Sequence, residues 1–279
     1  MAERHWDFAH LKDQLQQSTR HLVNLAEGLE FPWNPNLSDP RQLHNMYARN
    51  LITCYVSRFV DLSSGILHAI EAENYLTYAL CGRALIETTA ILRYYLTEKY
   101  RPLLDKPELG AIEMQHLIET DDQHLRGARF DWESFLYGNY SKLKGNAISK
   151  LEAGTRKNKH RRRDGALPQQ VSIGSCVKSW GRETPEVLVA YDLFCDLVHP
   201  NVGSTFLVAS TDGDALYFSR FKGEPVGRAI LEQSFPILLS VTHRQLPDLL
   251  TLLMATIWHD DELRNGPDPR FPGSDSRAP

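Results

Sequence analysis

The stretch YALCGRALIETTAILRYYL, residues 78–96, decides the fold. Apolar side chains surround its helical axis almost completely, and only Arg83, Glu87 and Arg93 interrupt them. A helix with no face suited to water has to be enclosed by other helices. The spacing therefore predicts a helix over 75–98 at the centre of a bundle.

Its neighbours follow from the same period. Between Gln42 and Ile70, Tyr47, Leu51, Cys54, Tyr55, Phe59, Leu62 and Ile66 recur at three and four, the mark of an amphipathic helix facing a core. EAEN, residues 71–74, is the predicted break between this helix and the central one. Residues 6–29 place Phe8, Leu11, Leu15, Leu22, Leu25 and Leu29 at mostly helical spacing, ahead of the turn-rich FPWNPNLSDP. More polar helical stretches are expected over 108–125 and 131–137. Thr184 and Pro185 suit the cap and first position of a further helix, with an apolar face of Val187, Leu188, Tyr191, Phe194, Cys195 and Val198. Asp212-Gly213 between two short β-type runs signals a hairpin near 205–221. Residues 226–262 read as helical again, with Pro236 kinking or starting a helix and Pro247 starting one. The expected fold class is mainly α, a helical bundle with one small β-hairpin. Its parts are an N-terminal helix and loop (1–40), the bundle domain (41–262) and a disordered tail (263–279).

Composition narrows the function classes. With 42% hydrophobic and 24% charged residues the chain resembles ordinary globular proteins. A formal charge of −4 opposes coating nucleic acid with the whole surface, so any anion binding has to be local. Cys54, Cys81, Cys176 and Cys195 form no C-x-x-C pair, which suggests neither a zinc knuckle nor a disulfide framework. The start, MAERHWDFAH, lacks an apolar leader core, and no uncharged apolar run approaches the ~20 residues that span a bilayer. The expectation is a cytoplasmic protein that does not enter membranes. Signatures for a phosphate-binding loop, nucleophile elbow, dinucleotide fold or H-E-x-x-H zinc site are missing, and no metal or cofactor is expected.

The second informative stretch is YDLFCDLVHPN, residues 191–201. His199 lies four after Cys195, eight after Tyr191 and eleven after Leu188, so its ring is expected to continue the inward stripe. Pro200 disfavours helical geometry at His199 and ends the helix there. The C-terminal dipole, with Asp196 nearby, favours a protonated imidazole. Asn201 suits a turn in which its amide bonds back to open carbonyls. Two readings stand: a helix stop with a core histidine, or an acid/base histidine. Arg83 and Glu87, at i and i+4 on the most apolar helix, are either a pair that sets helix register or part of a polar pocket shared with His199.

GRALIETTAILRYY (82–95) followed by YDLFCDLVHPN resembles a family of prokaryotic helical proteins with Arg-x-x-x-Glu and Tyr…His-Pro-Asn motifs, similar in turn to the HEPN superfamily. The resemblance covers roughly residues 45–260. It implies a compact helical bundle of the kind found in toxin–antitoxin and antiphage systems, where many members are metal-independent ribonucleases. It also implies a site built from Arg83, Glu87, His199 and Asn201. The chain departs from the ribonuclease pattern: His199 has Asp192, Leu193 and Phe194 where that motif carries its arginine. Arg4 and His10 fit the spacing, but at the chain's N-terminal end.

RKNKHRRR, residues 156–163, concentrates Arg156, Lys157, Lys159, Arg161, Arg162 and Arg163 in an otherwise acidic chain. It is the candidate nucleic-acid contact, although no aromatic residue interleaves the run for base stacking. Three functions remain open: a HEPN-like defence or stress protein acting on RNA, a non-catalytic helical module binding a partner protein or small ligand, and a small-molecule enzyme. RNA, a partner protein and a second copy of the chain are the expected partners.

Overall fold

The computed structural model describes residues 7–29, 37, 39–106, 109–126, 171–205, 207, 209–212, 215–218 and 224–258. Among them the protein is mainly α. The principal helices are α1 (Phe8–Glu27), α2 (Pro40–Glu71), α3 (Tyr75–Tyr94), α4 (Ala111–Arg126), α5 (Ile173–Gly181), α6 (Glu186–Val198), α7 (Glu224–Val241) and α8 (Leu246–Met254). Single turns occupy Arg101–Leu104 and Val202–Thr205, and strands β1 (Ala209–Asp212) and β2 (Ala215–Phe218) pair antiparallel.

Helix α3 holds the central position that its composition demands. It packs against α2, α5, α6 and α7, and no residue from Cys81 to Thr97 is fully exposed. Gly82 allows two of these approaches. A Cβ there would stand 2.8 Å from the Phe194 ring and 3.3 Å from Leu238, so α6 and α7 seat on a surface that any larger residue would push away. Phe59, Phe194 and Phe235 are wholly buried around α3, each contributing on the order of 2 kcal/mol by removal from water.

Helix α3 does not continue regularly to residue 98. After Tyr94 it widens to a π-helical segment, Tyr95–Tyr100, before the turn at Arg101–Leu104. The wider winding re-aims the side chains that follow, and Tyr95, Leu96 and Tyr100 are all buried. EAEN is the corner between α2 and α3. Ala72 N–H donates to His68 O, Asn74 N–H donates to Ala69 O, and Glu73 sits between them at φ 51°, the left-handed geometry of a helix stop. Asn74 then caps α3 by accepting from Thr77 N–H at 3.0 Å.

Helix α2 buries more than the stripe read from its period. Leu51, Tyr55, Phe59 and Ile66 are buried, but so are His44, Asn45, Asn50 and Ser63, whereas Cys54 is exposed. The reason is that α1, α3, α4 and α8 all pack against α2, and each of them covers a different part of its circumference. Three further local expectations differ. Pro185 stands just outside α6, which starts at Glu186 with no side-chain cap from Thr184. Pro236 starts no helix, since α7 runs through it from Glu224 to Val241. Leu25 is 42% exposed, because it lies off the stripe of Leu11, Leu15, Leu22, Ala26 and Leu29 that meets the core. The expected helix at 131–137, the cationic stretch 156–163 and the tail 263–279 lie outside the described residues. No described helix is long and apolar enough to cross a membrane.

Candidate functional site

Arg83 and Glu87 meet as expected from their spacing. Arg83 Nε donates to Glu87 Oε1 at 2.9 Å, and the same oxygen accepts from the Tyr191 hydroxyl of α6 at 3.2 Å. The Arg83 guanidinium also lies 5.9 Å from the centre of the Tyr191 ring. The pair is only partly covered, with 27% and 19% of the two side chains exposed. The bond to Glu87 raises the arginine's pKa further, and burial pushes the Tyr191 hydroxyl up to about 12. Arg93 pairs separately with Glu183.

His199 does not join them. Its backbone leaves the helix at φ −78° and ψ 142°, as the following proline demands, and this turns the side chain outward. His199 is exposed, and its ring has no hydrogen bond, ion pair or ring contact among the described residues. The buried stripe of α6 is Val187, Ala190, Phe194 and Leu197, one residue offset from the stripe that would have carried His199 inward. Asp196, the expected ionic partner of His199, accepts instead from the side-chain amide of Asn201. Asn201 Oδ1 accepts from Ser204 N–H at 2.9 Å, so this residue caps the turn Val202–Thr205 rather than bonding back to open carbonyls. His-Pro-Asn is here a helix stop joined to a new cap.

The histidine that faces a cavity is His124. A cleft of about 290 Å³ opens between α2, α3, the π segment, α4 and α5. Tyr55, Tyr95 and His124 form its aromatic wall, Leu51, Ile91 and Ile173 add apolar surface, and Arg58, Glu87 and Thr88 bring polar groups to it. His124 stacks on Tyr95 with centroids 3.8 Å apart and planes 5° from parallel. Its Nε2 lies 2.6 Å from the Tyr55 hydroxyl and its Nδ1 3.4 Å from the Tyr100 hydroxyl. The Tyr100 hydroxyl donates to Asp121 Oδ1 at 2.8 Å, and Asp121 Oδ2 is 2.8 Å from His44 Nδ1. A continuous chain of hydrogen bonds thus runs from the cleft wall through Tyr55, His124, Tyr100 and Asp121 to His44 and the carbonyl of Thr256.

Donor and acceptor counting orders this chain. Because the Tyr100 hydrogen goes to Asp121, the tyrosine oxygen can only accept from His124 Nδ1–H. That leaves His124 Nε2 as acceptor for the Tyr55 hydroxyl. Desolvation holds His124 neutral by lowering its pKa to about 3, and it raises Tyr55 and Tyr100 well above the ordinary tyrosine range. These groups are therefore fixed acceptors and donors at neutral pH, and the wall of the cleft is rigid and uncharged. Among the described residues that line the cleft, its charge resides in Arg58 and Glu87.

Sequence reasoning left Glu87 open between a register-setting pair and a pocket shared with His199, and missed the walls of the cleft that Glu87 lines. One signal was present: Met114, Leu117, Asp121 and His124 follow at three, four and three, a single inward stripe on a helix whose composition is otherwise polar. Among the described residues no group of three His, Cys, Asp or Glu side chains is placed to hold a metal ion. Comparison with protein-family models, curated proteins and solved structures finds no match.

Proposed function

We propose that the protein is a helical module that binds a small ligand in the cleft between α2, α3, α4 and α5. The observation that carries this reading is the combination of a rigid aromatic wall with a few convergent polar groups, the usual make-up of a small-molecule site. The polar ends of Tyr55, Tyr95's partner His124 and Tyr100 are engaged with one another, and Thr88 is taken up by Ala84 and Arg58, which leaves Arg58 and Glu87 for recognition. Small compounds screened by ligand-observed NMR should include binders that fail to bind a Cys54→Trp variant, since Cys54 is exposed and lines the cleft. Binding that persists unchanged in that variant, or a screen with no binders, overturns the reading.

A second reading, contact with RNA, is favoured by one observation, the six cations between residues 156 and 163. It does not depend on His199. Replacing Arg161, Arg162 and Arg163 by alanine should weaken RNA binding equally for all sequences. It should also flatten the log–log salt dependence by about 0.7 for each phosphate no longer neutralised. Filter binding at several salt concentrations tests it, and equal slopes for the two proteins would reject it.

A further inference from the structure

We infer that the cleft takes small organic carboxylates, with the carboxylate gripped by Arg58 and the apolar body laid against the Tyr55–Tyr95 wall. The inference rests on the small-ligand reading and adds the chemical class. Arg58 comes from α2 on the rim of the cleft, and its Nε donates to Thr88 Oγ1 of α3 at 2.9 Å. Thr88 is itself held, since its hydroxyl hydrogen goes to Ala84 O at 2.7 Å and its lone pair alone faces Arg58. One edge of the guanidinium is thus anchored to buried structure. The two terminal nitrogens have no hydrogen bond or ion pair among the described residues. An anchored, planar fork whose two terminal nitrogens present one free edge matches a carboxylate in bidentate geometry.

The charges around the cleft select the valence of the ligand. Arg83 and Glu87 neutralise each other at 2.9 Å, so among the described residues lining the cleft Arg58 is the cation left over. A monoanion completes the balance. A dianion such as a phosphate monoester would place excess negative charge in the same small cleft as Glu87, where like charges repel. The aromatic and aliphatic surface that makes up most of the lining suits an apolar body, while Tyr55 and His124 have no spare donor for a polar one.

The test uses one apolar body in three charge states: 2-naphthoate, 2-naphthamide and 2-naphthyl phosphate, titrated by calorimetry into the full chain and into Arg58→Gln. The expected order is naphthoate tightest and the amide weaker by about tenfold, the scale of one charge-assisted hydrogen-bonded pair. Arg58→Gln should bring naphthoate down to the level of the amide and leave the amide unchanged. An Arg101→Gln control, at an exposed cation outside the cleft, should bind like wild type. Tightest binding of the phosphate, equal binding of all three, or naphthoate affinity unaffected by Arg58→Gln overturns the carboxylate assignment. If the three bind equally and Cys54→Trp abolishes all of them, the cleft remains a ligand site with a different selectivity. If none binds, the carboxylate assignment falls, and the broad compound screen decides the cleft by itself.

Discussion

At the residue scale, similar-looking polar residues have different worth because of what surrounds them. Glu87 accepts two hydrogen bonds but keeps contact with solvent, so Arg83 is not stranded when the carboxylate is removed. Glu87→Ala should lower stability by only about 1 kcal/mol in urea unfolding, well short of the loss expected for a fully buried pair. Asp121 is the opposite case. It is completely buried and serves Tyr100 and His44 with separate oxygens. Asp121→Ala leaves both donors without that partner in the interior, and the same measurement should show a loss of roughly 3–5 kcal/mol.

At the element scale, corners and irregular turns position the site. The corner at Glu71–Asn74 sets α3 beside α2, and Glu73 adopts φ 51°, which costs a side-chain-bearing residue energy that glycine avoids. Glu73→Gly should raise the thermal midpoint, by about 0.5 kcal/mol in free energy after the extra entropy of glycine in the unfolded chain is set against the relief. No rise would mean that the Glu73 backbone is relaxed by its surroundings. The π segment does comparable work at the other end of α3. By widening the helix after Tyr94 it puts Tyr95 against His124 and Tyr100 against Asp121, so one irregular turn supplies both the stacked wall and the link to the buried chain. Periodicity in sequence does not announce such a turn, because the apolar residues around it satisfy a regular helix equally well.

At the scale of the whole molecule, two desolvated histidines make the fold sensitive to acid. His124 titrates near 3 in the native protein, and His243, bonded to Ser63 at 2.8 Å, near 4, in both cases through desolvation. Unfolded histidine takes up its proton near 6.5, so below that pH the unfolded chain binds more protons than the native one. Stability is then fully present above about pH 6.5 and declines as pH falls toward these native values. Each histidine contributes at most about 1.4 kcal/mol per pH unit. Urea unfolding at pH 7, 6 and 5 should show this decline, and His124→Gln should make it shallower. An unchanged slope in the variant would place the titration elsewhere.

The mainly α architecture and the central place of α3 follow from sequence alone, since a helix apolar on every side has nowhere else to go. The Arg83–Glu87 contact is equally local, because one helical turn brings i and i+4 together. The fate of His199 and the making of the cleft belong to tertiary structure. The proline that stops α6 turns His199 to solvent, and a one-residue offset of the buried stripe is settled only by which helices α6 packs against. The cleft joins Arg58 and Tyr55 of α2, Glu87 of α3 and His124 of α4, residues separated by up to dozens of positions and linked by no motif. Sequence period identifies which residues turn inward on a helix. Whether an inward polar residue meets a hydrogen-bond partner, a cavity or a charge is decided by the neighbouring helices, because partners across a bundle are chosen by packing and not by spacing along the chain.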